Sequence, residues 1–166
     1  MEMSMSNIDE IGFLETNLSR QLGWIAAADS KGSFVFALDT AMLGVLAAVL
    51  PKTGDAWSVA PAIVAAFSAL FGVASLLFLC FAFFPRTEGP KNSLIFFGGI
   101  VQRDAAQFAS AVSQLTPESY TADLVAQCHR NAEIAHRKFV WVRRALISLF
   151  LAVVPWGIAI ILLYNA

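Results

Sequence analysis

Residues 116–164 read TPESYTADLVAQCHRNAEIAHRKFVWVRRALISLFLAVVPWGIAIILLY, a single helical pattern that changes its solvent partway along. Thr116-Pro117-Glu118 is a helix start: Thr caps orphan N–H groups, Pro fits the first turn, and Glu118 complements the dipole. Tyr120, Leu124, Cys128, Asn131, Ala135, Lys138 and Val142 then recur at three- and four-residue steps, the spacing of one helix face. Polar residues stop at Arg143-Arg144, and Ala145 to Tyr164 carries no charge. About 20 apolar residues cross a hydrocarbon core of roughly 30 Å. The pattern predicts one helix that leads from an aqueous surface into a membrane.

The rest of the chain agrees. Of 166 residues 58% are hydrophobic and 14% charged, against about 45–50% and 25% in soluble domains. Further apolar runs, Phe34 to Leu50 and Ala56 to Phe84, bring the expected count to three transmembrane helices in an all-α integral membrane protein with a small cytosolic helical layer continuous with the spans. The expected organisation is an N-terminal cytosolic helix over 1–33, two spans over 34–84 with a short outer loop, a cytosolic helical region over 85–142, and a third span over 143–166. Met1 to Arg20 lacks the basic start and short apolar core of a secretory signal. Lys52 alone falls in the loop between the first two spans, whereas the other ten Lys and Arg residues share the opposite side. The positive-inside rule makes that side cytoplasmic, with the N-terminus inside and the C-terminus outside. Cys80 in a span and Cys128 on a cytosolic helix give no disulfide signal. A net charge of −1 gives no reason to expect a nucleic-acid polymer as partner.

Asn7 and Glu10 have capping-box spacing, and Ile11, Leu14, Leu18, Leu22 and Ile25 follow as an apolar stripe expected to pack on the stripe of Tyr120 to Val142. Trp24 reads as an interface anchor and Lys31 as a topology charge. Asp29, beside a membrane surface, has no comparable explanation unless a cation or donor meets it. Asp39 lies farther into the span. It reads either as a functional intramembrane carboxylate or as a protonated or Thr40-paired side chain near the interface. Ala65, Ala69, Gly72 and Ser75 give the second span a small-residue face suited to helix assembly and to contacts between copies of the chain, hence a homo-oligomer. After Pro85 and Pro90, Ser93 to Ile100 has no clear period, so strand, re-entrant turn and interfacial segment stay open. Asp104 to Leu115 returns to helical spacing.

His129, Glu133 and His136 share one helix face, but the half-site Glu133-x-x-His136 has no matching second half, so no metal is expected. Asn131 and Lys138 interrupt an otherwise apolar stripe, and each needs a partner there, such as Asp29 or a bound ligand. The chain shows no paired nucleophile and base, Gly-rich dinucleotide motif, Walker lysine or Cys-x-x-Cys. Neither an enzyme nor a cofactor is expected.

Trp24-Ile25, Ala28-Asp29-Ser30-Lys31, Ser93-Leu-Ile-Phe-Phe-Gly98, and His129-x-Asn131-Ala132-x-Ile134 with Lys138 before the last span resemble, in order and in residues, the small transmembrane effectors of Pycsar anti-phage systems. The resemblance runs from about Gln21 to the end. It implies a bacterial inner-membrane effector that responds to a cyclic pyrimidine mononucleotide, cUMP or cCMP, made by a partner cyclase. The effector would then impair the membrane and stop phage replication by abortive infection. Trp24, Asp29, Lys31, His129, Asn131 and Lys138 become candidate sensing or switching residues. A competing reading is a constitutive accessory or structural subunit of a larger membrane complex, with no nucleotide ligand. A small transporter would require polar residues converging at the bilayer midplane or broken spans.

Overall fold

The computed structural model describes residues 5–51 and 58–165, with side chains from residue 9 onward; the outer-loop assignment of residues 52–57, including Lys52, lies outside the described residues. The architecture is all-α. In chain order it comprises α1 (Met5–Val49), α2 (Val59–Phe83), α3 (Phe97–Val101), α4 (Ala105–Ser113) and α5 (Pro117–Tyr164). Three of these, α1, α2 and α5, are long and apolar enough to cross a membrane. α1 and α5 run without a break for 45 and 48 residues. The start of α5 is as the sequence indicates, with the Ser119 N–H donating to Thr116 Oγ1 at 3.2 Å. The start of α1 is not. It begins at Met5, so Asn7 lies inside the helix and is no N-cap.

The buried positions on the three long helices explain why they stay helical. On α5 they keep to one alternation of three- and four-residue steps, half-buried residues filling the gaps, from Leu124 through Ala135, Val142, Ala145 and Ala152 to Ala159. On α2 they step likewise from Pro61 to Ala82, and on α1 from Leu14 to Leu46. This is the 3.5-residue repeat of a coiled-coil seam rather than the 3.6 repeat of a free helix. Asn131, Lys138 and Asp39 all fall on seam positions, where side chains meet neighbours by necessity.

Two compact units divide the chain: residues 1–27 with 85–136, and residues 28–84 with 137–166. In the second, the central core joins Val35 and Met42 of α1, Leu79 of α2, and Ala145, Leu149 and Ala152 of α5. A smaller cluster of Leu46, Ala65 and Ala159 lies beyond it. Helices approach closely at glycines: a Cβ on Gly72 would sit 3.1 Å from Leu43 Cδ2, and one on Gly32 would sit 2.7 Å from the Phe83 ring. The small-residue face of α2 therefore serves packing inside the chain, and Gly72 meets α1 of the same chain rather than waiting for a second copy.

This unit returns its buried hydroxyls to acceptors, as an apolar medium demands. Ser75 Oγ lies 2.5 Å from Asp39 Oδ2 and 3.0 Å from the Ala145 carbonyl, tying α1, α2 and α5 at one level. Ser68 donates to Ala152 O at 3.3 Å, Ser148 to Phe71 O at 2.7 Å, and Trp156 Nε1 to Met42 O at 2.9 Å. Asp39 is fully buried and its Oδ1 has no hydrogen-bond partner. Thr40, one of the partners considered for it, instead donates to Phe36 O at 2.7 Å.

In the first unit the N-terminal part of α1 packs on the N-terminal part of α5, as the paired stripes indicate. Tyr120 Oη donates to Glu15 Oε1 at 2.7 Å, and the Cys128 thiol approaches Leu14 O at 3.5 Å. α4 opens with a capping box in which Asp104 Oδ1 accepts from Gln107 N while Gln107 Oε1 accepts from Asp104 N.

Candidate functional site

The stretch without a clear period, Ser93 to Ile100, is a turn held by the Ser93 side chain that runs into α3 from Phe97. The Ser93 hydroxyl accepts from Phe96 N at 2.8 Å, Ile95 N at 3.1 Å and Gln127 Nε2 at 3.0 Å, and donates to Asp123 Oδ2 at 3.0 Å. Asp123 also takes the Leu94 N–H at 2.8 Å. Arg103 clamps the other side through the Gly99, Ser93 and Asn92 carbonyls. Gly99 is obligatory here, since a Cβ would lie 2.3 Å from Ser93 O. The Phe96 ring fills the space that side chains at Gly89 and Gly98 would occupy. Apolar residues lacked a period because a polar node, not an apolar face, fixes this segment.

That node holds the loop over residues 88–92 beside α5. Arg130 Nε donates to Glu88 O at 2.9 Å, Nη1 donates to Glu133 Oε2 at 2.9 Å, and Nη2 lies 3.7 Å from Glu88 Oε2. Alongside is a cavity of about 620 Å³ bordered by Glu88, Pro90, Ala122, Val125, His129 and Arg130. The His129 ring is largely exposed, with Nδ1 3.8 Å from Glu133 Oε1. Glu88 is almost fully exposed, so its long ion pair with Arg130 is weak and exchangeable for another anion. A guanidinium partly buried beside an open cavity and held through neighbours is suited to a phosphate group and a planar ring. A second cavity, about 320 Å³, is bordered by Leu18, Leu22, Arg86, Phe96, Gln127 and Asn131. Burial raises the Cys128 thiol above its usual range, so it stays protonated and unreactive near neutral pH.

In the other unit Lys138 is ion-paired and hydrogen-bonded to Asp29 Oδ1. The Lys138 side chain is 14% exposed and that of Asp29 42%. Lys31 lies two residues beyond Asp29 in α1, its ammonium 5.4 Å from the centre of the Phe139 ring.

The family model PycTM, described as the Pycsar effector protein domain, matches residues 13–164. The chain belongs to the Pycsar effector family. Neither a curated protein nor a solved structure matches it. In this Pycsar effector the three membrane-length helices and the family membership make a membrane protein of antiphage defence whose family implies a cyclic-nucleotide signal from a partner cyclase.

The candidate residues divide between the units. Trp24, His129 and Asn131 belong to the first, where Trp24 is half exposed and His129 and Asn131 border different cavities. Asp29, Lys31 and Lys138 belong to the second, with Asp39 deeper along α1. Sequence reasoning matched Lys138 with Asp29 but left out Glu88, Ser93, Asp123 and Gln127 as parts of one loop scaffold. The available signal was Ser93 followed three residues later by Phe96 and then Gly98-Gly99, a side-chain cap ahead of a tight turn.

Proposed function

We propose that this Pycsar effector sits in the bacterial inner membrane with its N-terminus in the cytoplasm, binds cUMP or cCMP, and as a homo-oligomer then breaches the membrane so that infected cells die before phage matures. The observation that carries the reading is the family match over residues 13–164. The placement of ten of the eleven Lys and Arg residues supports the orientation. In this reading the cavity beside Arg130 and His129 takes the nucleotide: its volume is that of a small-molecule site, and the phosphodiester displaces the exposed Glu88 carboxylate. Asn131 borders the other cavity of the same unit and stays a sensing candidate apart from this contact. Trp24 anchors α1 at the membrane surface, while Asp29, Lys31 and Lys138 form the switch. On this reading the residues recognise a ligand and are asked to make or break no bond, as the family's non-enzymatic effectors suggest.

Moving a closed form from 1:99 to 99:1 takes about 5.5 kcal/mol of differential binding. One small ligand per chain supplies that only where several chains move together, which is why the reading includes an oligomer. Calorimetry of detergent-solubilised protein against cUMP, cCMP, cAMP and cGMP tests it directly, with a pyrimidine nucleotide binding and the purines failing. No binding of any of the four assigns the chain to the constitutive-subunit reading. Alkaline phosphatase fused at the C-terminus should be active and fused at Lys91 inactive; the reverse pattern overturns the orientation.

A further inference from the structure

We infer that the face between α2 and α5 is a binding site for one anionic phospholipid, with an acyl chain in an apolar groove and the phosphate on Arg144. The groove, about 260 Å³, is bordered by Phe71, Ala74 and Phe78 of α2 and by Ser148, Leu151 and Arg144 of α5. Its one hydroxyl is already spent on the Phe71 carbonyl, so the walls are apolar throughout. Arg144 stands at the end of the uncharged run from Ala145, where a lipid headgroup meets its acyl chains.

The guanidinium is set in place by aromatic rings. Its carbon lies 4.4 Å from the centre of Trp141, which is itself packed against Phe81 at 4.9 Å and Phe78 at 5.9 Å. Stacking uses the face of the guanidinium and leaves its N–H edge for a phosphate. Arg144 makes no ion pair among the described residues, unlike Lys138 and Arg130. A zwitterionic lipid brings a cation along with its phosphate, whereas an anionic lipid answers this unpaired charge. A second copy of the chain fits less well. The described acidic residues of this unit are Asp29, paired with Lys138, and Asp39, fully buried, so neither is offered to a neighbour's arginine.

The site is independent of nucleotide binding and is tested without it. Native mass spectrometry of the full chain from detergent, titrated with phosphatidylglycerol or phosphatidylcholine of identical acyl chains, should show about fivefold preference for the anionic lipid, the effect of one basic residue at a charged surface. Glycerol 3-phosphate, which has a phosphate and no chain, should not be retained. Arg144→Gln should abolish the preference while keeping residual binding of both lipids, and the exposed Arg143→Gln should leave the preference intact. Ala74→Phe, filling the groove, should displace both lipids, with helicity by circular dichroism confirming the fold. Equal losses from Arg143→Gln and Arg144→Gln would mean diffuse surface charge and overturn the site. So would retention of glycerol 3-phosphate, or a fall in oligomer mass in Arg144→Gln without a change in lipid count, which would make the groove an interface between copies.

Discussion

Asp29 and Lys138, 109 positions apart in the chain, meet in an ion pair that joins α1 to α5. Lys138 occupies a seam position and is mostly covered, so its charge depends on Asp29 for compensation. Because Asp29 is nearly half exposed, solvent screens the pair, and its loss should cost stability of only about 1 kcal/mol. Lys138→Ala is therefore expected to insert and fold, yet to abolish nucleotide-triggered depolarisation of cells. The exchanged pair Asp29→Lys with Lys138→Asp should recover part of the response. Depolarisation at wild-type nucleotide doses in Lys138→Ala would remove this pair from the switch.

The Asp39–Ser75 contact should behave differently, because nothing there is exposed. Ser75→Ala strips the carboxyl of its hydrogen bond in a buried setting, at a cost of about 1–3 kcal/mol. Ser68→Ala removes only a 3.3 Å bond to one carbonyl and should cost less. Thermal unfolding in detergent orders the two variants. If Ser68→Ala proves the more damaging, Asp39 is not the centre of this polar level.

Gly99→Ala should loosen the loop without touching the spans. The added methyl group would lie 2.3 Å from the Ser93 carbonyl oxygen, so backbone must shift and the bonds that Ser93 makes with Asp123 and Gln127 are disturbed. Hydrogen exchange over residues 93–103 is expected to accelerate at least about tenfold, for a local cost of 1.4 kcal/mol or more. Unchanged protection there would show that the turn accommodates a side chain.

Tyr120 provides a pH test. Its hydrogen bond to Glu15, followed by desolvation and the nearby charges of Glu15 and Asp123, raises the phenol above its ordinary value. A folded-state value above the unfolded one means that this contribution is fully present below the unfolded value near pH 10 and is lost as pH rises through the folded value. Ultraviolet titration in a Tyr164→Phe background should find Tyr120 ionising above the ordinary phenol value. Glu15→Gln should bring it back toward the ordinary phenol value, and no change in Glu15→Gln would dissociate the shift from this contact.

Sequence spacing made the long helices legible because a seam repeat is written in residue types: Leu124, Ala135, Val142 and Ala145 announce the buried side of α5 without reference to any partner. It also exposed Asn131 and Lys138 as misfits, and a misfit charge called for an opposite one, which Asp29 supplies. The loop over 88–99 was illegible for the complementary reason. Its shape follows from hydroxyl, carboxylate and guanidinium contacts, some between residues far apart in the chain, such as Ser93 with Asp123 and Arg130 with Glu88, and such contacts leave no period. Gly72 was legible only as a close approach between helices, because a small residue says that something comes near, not which helix it belongs to.

The unbroken seam on α5 also limits how this helix can change length. One inserted residue between Asn131 and Val142 turns everything beyond it by about 100°, carrying Val142, Leu149 and Ala152 out of the core and presenting charged or lipid-facing residues in their place. Seven inserted residues restore the orientation, and the helix merely grows longer. Insertions in α5 are thus admissible in whole heptads, while single-residue changes must fall in connections such as Gln114 to Thr116, where no seam has to be kept in step.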